Sequence, residues 1–257
     1  MARSFIILYD QKKFAVKLIE LKCKQNVVET MSKKTKTPLK TRYDAESGLF
    51  EVGIDEAGRG PMYGPVYAAA VVLPPEGEFK HSDMKDSKKF HSEKKIKAVA
   101  EYIKENAIAW GVGVSTAADI DTLNIRRATH RAMHKAIKIV QEKLGDDSET
   151  FLLVDGNDFT PHLRLVGNMM VPDRFTCIEG GDDKYTAIAA ASILAKVERD
   201  AYIVRKCEED PQLQEKYGIL KNKGYGTAAH MEGIRTHGIT DEHRKTFGIC
   251  REFASKS

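Results

Sequence analysis

Phe50-Glu-Val-Gly-Ile-Asp55-Glu56-Ala-Gly58-Arg59-Gly60-Pro-Met-Tyr-Gly64-Pro65 decides how the rest of the chain is read. A short apolar run ends in two adjacent carboxylates and then breaks into a turn holding three glycines and two prolines. A strand that delivers acids to its end, followed by a loop with almost no side-chain bulk, lets a polyanionic chain lie against the backbone. The acids alone would repel such a ligand, but a divalent cation between carboxylate and phosphate reverses the sign. An ordinary turn with solvated acids is the other reading, and from this stretch alone both stay open.

Outward from it, residues 50–54 and 66–73 read as strands on either side of the turn, most simply an antiparallel pair. Residues 91–106 read as a helix preceded by Asp86-Ser-Lys-Lys, and 108–114 as a further strand. Residues 125–144 place Ile125, Ala128, Ala132, Met133, Ala136, Ile137 and Val140 at helical spacing. The continuous apolar run 151–154 has the mark of a strand buried on both faces, and it ends in Asp155-Gly-Asn. Residues 174–178 are another strand, leading to Glu179-Gly-Gly-Asp182-Asp183. Residues 184–206 form an Ala-rich helix able to pack closely on its neighbours. Thr227 is placed to cap a helix that stops at Gly238. Strands first and helices later predict an α/β fold, a mixed sheet surrounded by helices with a helical C-terminal region.

Composition bounds the function. With 42% hydrophobic and 30% charged residues, a chain of 257 residues builds a packed core of one large domain. Cysteines at 23, 177, 207 and 250 form no close pair, which suits reduced thiols and excludes a disulfide or zinc framework. No apolar stretch reaches membrane-spanning length, so a soluble, intracellular, cytoplasmic protein with no membrane partner is expected. Residues 1–49 carry 11 Lys+Arg against 5 Asp+Glu, a net +6; the whole chain is +4, so the remainder carries −2. Residues 1–47 therefore read as a basic extension and polar linker, and 48–257 as the catalytic domain, with Met31 an alternative start. A basic arm on a slightly acidic body suits an anionic partner.

Asp55, Asp155 and Asp182 share one placement: each follows an apolar strand and each meets glycine nearby. In open α/β sheets ligands gather beyond strand ends. Carboxylates brought together there raise one another's pKa unless a cation keeps them ionised. An all-oxygen set favours Mg²⁺ or Mn²⁺ over zinc, and two such ions are a standard apparatus for phosphodiester hydrolysis. For any single Asp, capping a turn remains the simpler account.

Several separated motifs, in order from about residue 50 to 247, resemble ribonuclease HII. They are Gly53-Ile-Asp55-Glu56-Ala-Gly58-Arg59-Gly60-Pro, Asp86-Ser-Lys-Lys, Val154-Asp155-Gly-Asn and Gly181-Asp182 followed by Ala189-Ala-Ala-Ser-Ile-Leu-Ala-Lys-Val-Glu-Arg-Asp. Asn222-Lys-Gly-Tyr225-Gly-Thr and Thr236-His-Gly-Ile-Thr-Asp-Glu-His-Arg-Lys-Thr-Phe247 complete the set. The resemblance implies a ribonuclease H-like fold and an endoribonuclease that cuts the RNA strand of RNA–DNA hybrids, including single ribonucleotides embedded in duplex DNA, leaving 5′-phosphomonoester ends. It implies two divalent ions, Mn²⁺ or Mg²⁺, held by Asp55, Glu56, Asp155 and Asp182, with Asp183 a neighbouring rival for the last place. Gly58, Arg59 and Gly60 would grip the backbone around the ribose 2′-OH, and Tyr225 would stack on the deoxyribose beyond the junction. Lys88, Lys223 and Arg244 are candidate phosphate contacts. The chain is expected to act as a monomer, and no Phe-rich sliding-clamp motif is evident in residues 251–257.

Other readings are weaker. His130 and His134 stand at a metal-ligand spacing, but the accompanying glutamate of that motif is absent and they are expected to face solvent. Gly58-Arg-Gly60 is followed by proline, not by a helix, which argues against a dinucleotide loop. A catalytically silent hybrid-binding protein on the same fold is the alternative from another class, and retention of all four acids argues against it.

Overall fold

A computed structural model describes residues 38–145 and 148–254. The basic extension, the possible start at Met31 and Cys23 lie outside the described residues, apart from the last stretch of the linker. Residues from Leu39 onward form one compact unit. Residues 39–47 are tied to it: Lys40 N–H donates to Lys184 O, and the Glu51 carboxylate accepts from the amides of Tyr43 and Asp44 at 2.8 Å.

β1 (Phe50–Ala57) and β2 (Val66–Val72) flank the Gly/Pro turn, and β3 (Ala109–Ser115), β4 (Thr150–Asp155) and β7 (Arg174–Ile178) complete a five-stranded sheet in the order β3-β2-β1-β4-β7. β1, β2 and β3 pair antiparallel, whereas β1, β4 and β7 run parallel. Every residue of β2 is buried, because helices cover both faces of the sheet. On one face lies α3 (Ile125–Leu144), whose Ala128, Ala132, Met133, Ala136, Ile137 and Val140 meet Val52, Ile54, Ala68 and Val154. On the other lie α1 (Glu93–Asn106) and the long α4 (Thr186–Glu209), packed on Ala69 and Val71.

Two glycine positions show how close these layers come. A Cβ on Gly53 would stand 2.1 Å from the Ala187 carbonyl carbon, and one on Gly113 would stand 2.0 Å from Ala132 O. Neither backbone could yield without parting helix from sheet. Because side chains alternate along β1, Asp55 points to the same side as Gly53, toward α4.

A third cluster joins the Met62–Tyr63 loop to α4 and to the short C-terminal helices α5 (Gln212–Tyr217), α6 (Ile219–Asn222), α7 (Ala228–His237) and α8 (Cys250–Ala254). Thr227 caps α7 through the His230 amide, and α7 stops at Gly238 as the sequence predicts. Two features escaped that reading. α2 (Ala117–Leu123) is opened by a reciprocal Thr116–Asp119 capping box, a readable signal. The hairpin of β5 (Leu163–Val166) and β6 (Met169–Pro172) turns through Gly167-Asn168, with Gly167 at φ +59. Among the described residues no helix is long and apolar enough to cross a membrane.

Candidate active site

Strand register brings the acids together. The parallel β1–β4 ladder aligns Ile54 with Val154, so Asp55 and Asp155 emerge as neighbours at adjacent strand ends. β7, aligned with β4 through Asp155 and Ile178, leads into a 3₁₀ turn at Gly181–Asp183. The Gly181 N–H donates to Asp155 Oδ1 at 2.6 Å and sets Asp182 beside it. Asp182 is buried, whereas its neighbour Asp183 is exposed and paired with Lys89. Of the two rivals, Asp182 faces the other acids.

Asp55 is the most enclosed of the set, 6% exposed. It accepts the Glu56 N–H at 2.7 Å and bonds to Ser192 on α4, which in turn meets Ser87 at 3.0 Å. Burial, then the charges of Glu56 and Asp155, hold its pKa well above the usual carboxylate value despite those bonds. Burial also raises Glu56, opposed by Arg59, which pairs with it at 3.3 Å. Burial, followed by Asp155 and Asp86, pushes Asp182 up to about 6. Burial works to lower the Lys88 ammonium, but Asp86, Asp182, Asp55 and Asp155 outweigh it and raise its pKa.

The donor set fits a hard divalent cation: four carboxylates, all oxygen, at one end of the sheet. Among the described residues no three His, Cys, Asp or Glu side chains stand ready-made around one cation position. Glu56 is drawn toward Arg59 and Asp155 toward the Gly181 amide.

Around Asp55, Glu56 and Asp155 lies a cleft of about 360 Å³ lined also by Gly58, Arg59, Gly60, Lys88, Lys196, Arg199, Lys223 and Tyr225. The turn after β1 has little room for side chains. Gly58 adopts φ +95, and a Cβ there would stand 2.2 Å from Arg199 Nε. At Gly60 a Cβ would lie 3.3 Å from the Tyr225 ring, which is 51% exposed across the cleft.

Arg244 is not a phosphate contact. It is fully buried and donates to the carbonyl oxygens of Gly64, Arg59 and Gly58 at 2.8, 2.9 and 2.6 Å. Its guanidinium clamps the glycine turn from behind, and burial lowers its pKa to about 9. Arg199, which sequence reasoning did not single out, does similar work: it is buried and donates to Lys223 O at 2.9 Å, tying α4 to the loop before Tyr225. Its only sequence signal is its place in the Val-Glu-Arg-Asp run.

His130 does not face solvent, and His134 is half-buried. His130 is buried with Nδ1 2.9 Å from Thr160 Oγ1, and His134 Nε2 bonds Thr160 O at 2.8 Å; both rings pack on Phe159. They pin the loop after β4 to α3, an arrangement helical spacing alone does not reveal.

Comparison with known proteins agrees with this architecture. The family model described as Ribonuclease HII matches residues 52–250. A ribonuclease HII from Parabacteroides distasonis is 46% identical over 80% of this chain and 94% of its own. One from Porphyromonas gingivalis is 43% identical over 81% of this chain and 94% of its own. One from Geobacillus sp. is 39% identical over 96% of this chain and 82% of its own, so that similarity runs into the segment before residue 48. Among solved structures, the ribonuclease H2 of Pyrococcus horikoshii shares the fold at TM-score 0.60 and 22% identity, over 81% of this chain and 98% of that one. The ribonuclease HII of Archaeoglobus fulgidus, solved in complex with PCNA, matches at TM-score 0.57 and 26% identity, over 78% of this chain and 96% of that one. On the strength of the matched motifs, their length and the shared sheet, the chain belongs to the ribonuclease HII family.

Proposed function

We propose that this chain hydrolyses the RNA strand of RNA–DNA hybrids endonucleolytically at the acidic cleft, with Asp55, Glu56, Asp155 and Asp182 holding two divalent cations, Mn²⁺ or Mg²⁺. The observation that carries the reading is the convergence of Asp55, Glu56, Asp155 and Asp182 from the ends of β1 and β4 and the turn after β7. When bound, such ions supply an activated water and stabilise the leaving oxygen. Asp55 and Asp155, anchored by Ser192 and the Gly181 amide, present fixed carboxylates, whereas Glu56 is free to leave Arg59.

Gly58 and Gly60 bring backbone rather than side chain to the sugar, which suits recognition of a 2′-OH. Arg244 acts through that turn as a positioning residue. Lys88 and Lys223, both on the cleft wall, are suited to phosphate oxygens. The Tyr225 ring, exposed beside Gly60, is suited to stack on the sugar past an RNA–DNA junction, so single embedded ribonucleotides are substrates as well as long hybrids. Residues 1–38, with 9 Lys+Arg against 3 Asp+Glu, supply positive charge that adds affinity without chemistry.

The decisive experiment incubates the purified protein with a DNA duplex containing one ribonucleotide, with Mg²⁺ and Mn²⁺ compared and the cut mapped. Cleavage at the ribonucleotide with a 5′-phosphate product is expected, and Asp155→Asn retains binding but loses about 100-fold or more in rate. A variant cutting at near-normal rate would remove the acid assignment.

A further inference from the structure

Two buried histidines behind the cleft wall have no part in the reaction just described. His230, in the first turn of α7, and His243, in the loop after it, are both fully buried with Nε2 atoms 3.1 Å apart. Their tautomers follow from the partners at each end. Tyr225 O can only accept, so His230 Nδ1, 3.0 Å away, carries the proton and donates. A neutral His230 then offers Nε2 as acceptor, and His243 Nε2 must donate to it. That leaves His243 Nδ1 to accept, and the Thr240 N–H donates to it at 3.0 Å. All these bonds agree with one direction of protons, running from Thr240 to the Tyr225 carbonyl. Burial keeps His243 neutral, lowering its pKa to about 3.

The end of this relay matters because Tyr225 has little else to hold it. It stands between Gly224, at φ +81, and Gly226, and its ring is half exposed. The restraints on it are main-chain bonds: its N–H to Asn222 O at 3.0 Å, and its carbonyl accepting from Thr227 N–H at 2.8 Å and from His230. Met62 links the same loop to the glycine turn, since its N–H donates to Gly224 O and its carbonyl accepts from Arg244 N–H, each at 2.8 Å.

We propose that His230 and His243, as a hydrogen-bonded pair, are positioning residues that hold the Tyr225 ring beside Gly60 and thereby favour cutting at a lone ribonucleotide over cutting within a long hybrid. The inference rests on the junction reading of Tyr225. His230→Phe removes the donor to Tyr225, whereas His230→Asn places an amide N–H where Nδ1 stands. The readout is the ratio of cleavage rates on a single-ribonucleotide duplex and a long hybrid, with Tyr225→Ala and thermal melting measured alongside.

His230→Phe should lower the ratio about five-fold, equivalent to ~1 kcal/mol at 1.36 kcal/mol per decade, and His230→Asn should restore it to within about two-fold. If Tyr225→Ala lowers the ratio and His230→Phe does not, the relay is idle and the inference falls alone. If Tyr225→Ala leaves the ratio unchanged, the junction reading falls and takes the inference with it. Equal slowing on both substrates would mean a purely structural pair and overturn the proposal. Should His230→Phe fail to fold, His243→Gln keeps an N–H directed at His230 and His243→Asn does not reach it. A ratio held by the first and lowered by the second supports the relay, and equal ratios refute it.

Discussion

Asp182→Asn should make the metal-free protein more stable at neutral pH while abolishing its activity. The Asp182 carboxyl titrates at about 6 in the folded chain against an ordinary 3.8, because burial, Asp155 and Asp86 oppose its charge. The folded state thus keeps a proton that the unfolded state has already released, so the carboxyl's contribution to stability worsens as pH rises from about 4 to 6 and stays unfavourable above that. The gap between the two values sets a ceiling of ~3 kcal/mol. The effective dielectric around even a buried carboxylate is well above that of dry protein, which reduces this to ~1–2 kcal/mol. For a domain of this size that is a rise of about 3–6 °C in Tm. The assay is thermal unfolding of both proteins in chelator at pH 7.5 and 4.5, where the gain should shrink to about a third. Mn²⁺ should stabilise the parent at pH 7.5 more than the variant. Asp183→Asn, which removes an exposed partner of Lys89, is the control and should bring no gain. An Asp182→Asn protein no more stable than its parent, or equally stabilised at both pH values, would refute a repulsive acid cluster.

Three further outcomes are expected. Gly58→Ala forces a Cβ into Arg199 at φ +95 and should lose about 1–3 kcal/mol of stability along with most cleavage, measured by chemical unfolding and by hybrid hydrolysis. Arg244→Met strips donors from three carbonyls, that of Gly64 buried, and should destabilise by about 3 kcal/mol or more; a stable variant with a flatter salt dependence would instead make Arg244 a phosphate ligand. Removing residues 1–38, which hold 9 Lys+Arg against 3 Asp+Glu, should weaken hybrid binding and flatten its salt dependence without stopping turnover; an unchanged slope would show the arm idle.

The three aspartates were legible as candidates because their signals are local: each follows an apolar run of strand length and has a glycine within one to three residues. The same locality explains why α3 and the Thr227 cap of α7 were read correctly, since helical period and capping chemistry need no distant partner. Arg244 was misread for the opposite reason. An arginine in a polar loop looks like a surface cation until the chain brings Gly58, Arg59 and Gly64, about 180 positions earlier, around its guanidinium. Arg199 and His130 were hidden likewise, because burial of a polar side chain is a property of what folds over it.

By itself the sequence determined most of the element types, the layered α/β order and the candidate acids near the strand ends, because these follow from periodicity, turn chemistry and motif. Only the tertiary structure decided that Asp182 rather than Asp183 turns inward, that the glycine turn is braced by Arg244, and that a histidine pair reaches the Tyr225 carbonyl. Each depends on desolvation and hydrogen-bond direction between segments far apart in the chain, which no local pattern encodes.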